Sequence, residues 1–131
     1  MQRVLLVANT DKTEAARLAE EAARLLSGKA EILRIVREAE GDLAAGGADL
    51  VLVFGGDGTV LNALKRLGVE PPPLLAFNLG RLGYLAEFNP DRLEETLDAV
   101  LAGACRVSER MLLSGRILRD GQSLWHGAAV N

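Results

Sequence analysis

LVLVFGGDGTVLNAL, residues 50–64, sets five consecutive apolar residues before three glycines and one carboxylate, with a helically spaced run after them. An unbroken apolar run of that length marks a strand covered on both faces, as in a parallel sheet. Thr59 to Leu67 reads as the helix that follows, with Gly68 at its end. A strand that feeds a helix through a glycine loop is the repeating unit of an α/β sheet. Such sheets hold ligands in the crevice outside the carboxyl ends of their strands. Gly55-Gly56-Asp57-Gly58 falls on such an end.

The flanking sequence repeats the unit. Val4 to Ala8 is a second continuously apolar run, and Thr13 to Leu26 spaces Ala16, Leu18, Ala19, Ala22, Ala23, Leu25 and Leu26 at helical intervals before Ser27-Gly28. Ala30 to Val36 reads as a strand, Asp42 to Gly47 as a short helix or loop, Leu74 to Phe77 as a strand after the Pro71-Pro72-Pro73 connector, and Asp91 to Leu101 as an amphipathic segment. Alternation of this kind predicts a mostly parallel, Rossmann-like α/β sheet with helices on both faces. After Gly103 the pattern changes: Met111 to Arg119, Asp120-Gly121 and Ser123 to Val130 read as a hairpin around an Asp-Gly turn. The expected organisation is an α/β nucleotide-binding domain over residues 1–104 and the start of a β-rich domain over 105–131, the N-terminal part of a longer polypeptide.

Composition narrows the function classes. The chain has 131 residues, 49% of them hydrophobic and 25% charged, which is ordinary for a globular domain. A net charge of −3 argues against a surface built for nucleic acid or an acidic membrane. An anionic ligand must then be held locally, by backbone amides, a few cations or a metal. The apolar runs are too short to span a bilayer, no signal-peptide layout precedes the first strand, and the single Cys105 requires no oxidising compartment. A cytoplasmic location is the expectation.

The glycines of the loop read as a cradle, permitting unusual backbone angles and close approach of a phosphate or ribose above a helix N-terminus. Two familiar glycine loops fail on spacing: the dinucleotide fingerprint started at Gly56 requires glycine where Leu61 stands, and the P-loop requires a Gly-Lys pair that this loop lacks. The acid is the informative residue. An Asp among phosphate-binding glycines would repel an anion unless it binds a metal or orients an attacking hydroxyl, and both duties belong to phosphoryl transfer. The plain alternative is that Asp57 caps the helix. A helix N-terminus lowers a carboxylate's pKa, so Asp57 would hold a hydroxyl in line more than remove its proton early.

Gly55-Gly56-Asp57-Gly58-Thr59 resembles the GGDGT signature of the NAD kinases, which in varied form also occurs in diacylglycerol and sphingosine kinases and, as GGDG, in phosphofructokinases. Phe77-Asn78-Leu79-Gly80-Arg81-Leu82-Gly83-Tyr84-Leu85 is similar to the NAD-kinase segment N-x-G-x-L-G-[FY]-L, which the lipid kinases do not share in this form. Glu109-Arg110-Met111-Leu112 resembles the stretch that opens that family's second domain, and Ala128-Ala129-Val130-Asn131 its A-L-N-[ED] motif. The resemblance implies transfer of a phosphoryl group from ATP, or polyphosphate, to the 2′-hydroxyl of NAD's adenosine ribose, making NADP. It implies Asp57 as the base or orienter, Gly55, Gly56, Gly58 and Thr59 around the phosphates, and Leu61 near the dinucleotide. Asn78 and Gly80 would face the crevice, Tyr84 would wall the adenosine, and Asn131 would bind substrate. It further implies Mg²⁺ or another divalent cation brought with the triphosphate and a homo-oligomer, dimer or tetramer, when full length. A lipid or sphingoid-base kinase and a non-catalytic nucleotide-binding module are the rival readings.

Other candidates read as structural. Lys65 and Arg66 are expected on a solvated helix face, Arg81 within reach of an anion, and Asn9-Thr10-Asp11-Lys12 as a helix-capping stretch with a phosphate contact as its alternative. His126 reads as a strand residue beside Trp125, and Cys105 as a buried or idle thiol.

Overall fold

A computed structural model describes residues 1–37, 43 and 46–130. Half of the segment expected as a short helix or loop at 42–47, and Asn131, lie outside the described residues. Within them the chain forms β1 (Arg3–Ala8), α1 (Thr13–Leu26), β2 (Glu31–Val36), β3 (Leu50–Gly55), α2 (Asp57–Leu67), β4 (Leu74–Asn78), a 3₁₀ turn (Pro90–Arg92), α3 (Leu93–Leu101), β5 (Leu112–Arg119) and β6 (Gln122–Val130). The first four strands make one sheet in the order β2-β1-β3-β4, every pair parallel. The chain steps from β1 outward to β2 and then returns to the opposite side of β1 with β3. That reversal makes the carboxyl ends of β1 and β3 the topological switch point, where an open α/β sheet leaves its crevice.

Alternation along the central strands loads both faces, because successive side chains of a strand point to opposite sides. Leu6, Leu52, Phe54 and Phe77 pack with α1 (Leu18, Ala19, Ala22, Leu26) and α3 (Leu93, Leu97, Val100) on one face. Leu5, Val7, Val51, Val53 and Ala76 meet Val60 and Ala63 of α2 on the other. Every residue of β3 is buried, as its unbroken apolar run requires. The alanines of α1 bring that helix close to the sheet. Phe54 and Phe77 stack at 5.3 Å between ring centroids at the carboxyl edge, which sets the floor beneath the two motif loops.

Two boundaries differ from the expectation by more than one residue. The helix after β3 starts at Asp57, not Thr59, so the acid is its first residue and Gly56 its N-cap. The amphipathic segment from Asp91 opens as a 3₁₀ turn capped by Asn89, whose side chain accepts the Asp91 amide at 2.9 Å, and becomes α-helical only at Leu93. β5 and β6 form a separate antiparallel ribbon, exposed over most of its length. Its turn, Asp120-Gly121, has positive φ at both residues, the geometry that a tight two-residue hairpin demands and that Asp-Gly supplies. Cys105, in the connector before the ribbon, is exposed and not buried: the connector has left the core behind.

Candidate functional site

Three loops meet at the carboxyl edge of the sheet. The Asn9 amide donates to the Phe54 carbonyl and the Leu79 amide to the Gly55 carbonyl, both at 2.9 Å, so the loops after β1 and β4 are each tied to the end of β3. The Asn9 side chain donates to the Thr59 hydroxyl at 3.2 Å, fastening the first loop to the first turn of α2. Asn78 closes its own turn: its carboxamide donates to the Arg81 carbonyl at 2.9 Å and accepts the Gly80 amide at 3.1 Å. The first loop does not cap α1 as expected. The N-cap position is Lys12, whose side chain makes no cap bond, because an ammonium has no acceptor to offer a helix amide. It donates instead across the crevice to the Leu79 carbonyl at 2.9 Å.

The carboxylate of Asp57 sits where the two motifs meet. Its Oδ2 accepts the Tyr84 amide at 2.8 Å, and its Oδ1 accepts the amides of Leu85 and Ala86 at 3.0 Å each. Asp57 therefore does not cap its own helix but clasps the loop after β4. The Tyr84 amide first, then those of Ala86 and Leu85, hold its carboxyl below the ordinary aspartate range by bonding to the charged form. Charge-directed bonds from a neighbouring loop lower the pKa here, where the sequence had pointed to the helix N-terminus. Arg110, from the connector that follows α3, reaches the same loop: it donates to the Tyr84 carbonyl at 3.5 Å and pairs with Glu87 at 3.5 Å.

The glycines act through space and not through dihedral freedom. Gly55, Gly56 and Gly58 have no positive φ, which corrects the expectation that they supply unusual backbone angles. A Cβ on Gly55 would stand 2.7 Å from the Thr59 Cβ, and one on Gly83 would stand 2.6 Å from the Asp57 Cγ, so these two glycines admit a neighbouring side chain. A Cβ on Gly56 or Gly58 would meet nothing within 4 Å. Both positions are open, beside α2 amides that have no acceptor within the helix. Leu61, 44% exposed, lies one turn further along α2, and Tyr84 is 87% exposed above the Asp57 clasp. The structure thus gathers Gly55, Gly56, Asp57, Gly58, Thr59, Asn78, Gly80 and Tyr84 at one edge.

Lys12 and Arg110 are the members that sequence reasoning underrated. The one signal for Lys12 was its place after β1; for Arg110 it was the Glu-Arg pair opening the ribbon segment. Lys65 is exposed on α2, as a solvated helix position should be, while Arg66 is half-buried and bonds to Asn62. His126 lies in β6 opposite Arg116. A cavity of about 870 Å³ lies between α2, the triple-proline connector and residues 105–110; Leu85 lines it, but neither Asp57 nor its flanking glycines do. Among the described residues no three His, Cys, Asp or Glu side chains form a metal-holding group, and no helix is long and apolar enough to cross a membrane.

Comparison with known proteins adds the family context. The family model for the ATP-NAD kinase N-terminal domain matches residues 35–105. The NAD kinase of Nitratidesulfovibrio vulgaris (strain DSM 19637 / Miyazaki F) is 40% identical across all of this chain and 48% of its own length. That of Methylococcus capsulatus is 46% identical over 64% of this chain and 29% of its own. In fold, the chain is similar to an NAD kinase from Archaeoglobus fulgidus in complex with ATP (TM-score 0.67, 24% identity, 93% of this chain and 45% of that one). It is also similar to yeast NADH kinase complexed with NADH (TM-score 0.75, 18% identity, 99% and 44%). The chain spans half or less of the length of these relatives.

Proposed function

We propose that this chain, which belongs to the ATP-NAD kinase family through its N-terminal domain, forms half of an active site that phosphorylates the 2′-hydroxyl of NAD's adenosine ribose and yields NADP. The observation that carries the reading is the Asp57 clasp. A carboxylate held by three amides beside the open faces of Gly56 and Gly58 is rigidly aimed, and positioning is most of what phosphoryl transfer asks of a protein. Oδ1 is saturated by two amides, whereas Oδ2 accepts one and keeps a lone pair for a ribose hydroxyl. With its pKa lowered, Asp57 orients that hydroxyl and takes the proton only as the bond to phosphorus forms. The amides at the start of α2 receive the phosphates, Leu61 and Tyr84 offer apolar surface to the nucleoside, and Asn131 completes the substrate contacts.

The phosphoryl donor is ATP or polyphosphate. A divalent cation, Mg²⁺ or similar, is part of the donor substrate in this reading, since Asp57 is already engaged by amides and no carboxylate group stands ready to hold a resident ion among the described residues. Residues 1–104 form the nucleotide-binding domain, and 105–131 begin a β-rich domain that the remainder of a longer protein completes. An isolated two-stranded ribbon is marginal in water, and this one exposes Leu113, Ile117, Leu124 and Trp125. Further strands, and a second copy in a homo-oligomer, are the covering that such a surface calls for. A cytoplasmic site of action completes the proposal.

The test is NADP formation from NAD, ATP and Mg²⁺ by the full-length protein, coupled to an NADP-specific dehydrogenase, with Asp57→Asn as control. NADP from the wild type and its loss in the variant support the reading. A folded full-length protein that makes none overturns it.

A further inference from the structure

Lys12 brings to the switch point a cation that no acid pairs with among the described residues. It is half-buried, its ammonium donates to one neutral carbonyl, that of Leu79, at 2.9 Å, and among the described residues it enters no ion pair. Of the acids at this edge, Asp57 is taken by the amides of the loop after β4, and Asp11, exposed in the loop of Lys12 itself, makes no ion pair with it. An ammonium has three donors, so one carbonyl leaves two N–H groups and the full charge in place. Ordering a lysine costs rotamer entropy and part of its hydration, which a single exposed-loop carbonyl offsets poorly. The surrounding backbone is also shaped for it: a Cβ on Gly80 would lie 3.1 Å from Nζ, so the glycine of the second motif leaves the ammonium its room. The loop of Lys12 is also tied to the first turn of α2 by the Asn9–Thr59 bond, and Gly56 and Gly58 there are open at their Cβ positions.

We propose, on the basis of the nucleotide reading above, that Lys12 is a phosphate-binding residue of the crevice. Its ammonium holds a non-bridging oxygen of a nucleotide's di- or triphosphate opposite the α2 N-terminus. Because the same ammonium bonds Leu79, a bound phosphate also steadies the loop whose amides hold Asp57. In a chain of net charge −3 this side chain adds a cation to the helix amides that would receive the anion.

The experiment is calorimetric titration of the full-length protein and its Lys12→Met variant with NAD, ATP and uncharged adenosine. Lys12→Met is expected to weaken a phosphate-bearing ligand by roughly 10- to 100-fold, the scale of a hydrogen bond to a charged group, while adenosine affinity stays within about twofold. Loss confined to NAD assigns the contact to the dinucleotide's diphosphate; loss confined to ATP assigns it to the donor's triphosphate; either supports the proposal. Equal loss for adenosine and the phosphate ligands, or no loss for any, overturns it and leaves Lys12 as a loop tie. Should Lys12→Met fail to fold, Lys12→Gln, which keeps a donor for the Leu79 carbonyl and removes the charge, reads the same difference. NADP formation by the wild type is measured alongside. Its absence refutes the kinase reading, whereas the phosphate-against-adenosine comparison needs no turnover and decides Lys12 separately.

Discussion

Gly83→Ala adds one methyl group and tests whether the Asp57 clasp is what the site depends on. Gly83 does not adopt a positive φ, so alanine meets no backbone strain there. Its Cβ would lie 2.6 Å from the Asp57 Cγ and 2.7 Å from Oδ2, with Oδ1 closer still, whereas ordinary contact begins at 3.4 Å. The carboxylate or the loop must therefore move apart by about 1 Å. The three amide bonds start at 2.8 to 3.0 Å and do not survive such a displacement. A misplacement of about 1 Å at a reacting group costs on the order of 10²-fold in rate. The expected result for the full-length protein is a loss of about that size in NADP formation, falling mainly on kcat, because the cradle at Gly56 and Gly58 is untouched. Hydrogen exchange gives an independent readout: the amides of Tyr84, Leu85 and Ala86 lose protection while those of β3 keep theirs. Activity within about threefold of wild type, with those three amides still protected, would refute the argument.

The same clasp has a pH signature. Bonding lowers the Asp57 pKa, so the clasp is complete above the ordinary aspartate value and is lost as pH falls through the lowered one. Protection of the Tyr84–Ala86 amides should hold from neutral pH down to about 4, and loss of the clasp between about pH 5 and 7 would contradict the assignment. Leu52→Ala empties a fully buried position in the middle of β3 and should cost about 2–5 kcal/mol in urea unfolding; under about 1 kcal/mol would mean that β3 is not the core strand. Residues 1–104 expressed alone should keep a single cooperative unfolding transition, since both core clusters lie within them; a non-cooperative melt would move the domain boundary into the ribbon.

The order of elements and the two-faced sheet were legible in the chain because they rest on local rules. The apolar run of β3 and the helical spacing of α1 each state their own burial, and Asp120-Gly121 states its turn. Spacing rules likewise removed the dinucleotide and P-loop readings and left the loop acid as the residue to explain. What local rules could not reach was any contact between distant segments. The partners of Asp57 lie 27 to 29 residues away, and that of Lys12 lies 67 residues away. The capping assignment for the stretch Asn9-Thr10-Asp11-Lys12 failed because a short-range rule was applied to side chains, Asn9 and Lys12, whose partners Thr59 and Leu79 follow other strands.

The glycines show the same division. Their positions could be read from the chain, and their purpose was taken for dihedral freedom together with close approach of a ligand. Only the folded arrangement shows Gly55 and Gly83 yielding space to Thr59 and Asp57 while Gly56 and Gly58 stand open. The sequence by itself determined a parallel α/β sheet with an acid among glycines at a strand end, because periodicity and turn chemistry act over a few residues. The tertiary structure decided what that acid and the Lys12 cation touch, because the strand order β2-β1-β3-β4 is what brings three separate loops to one edge.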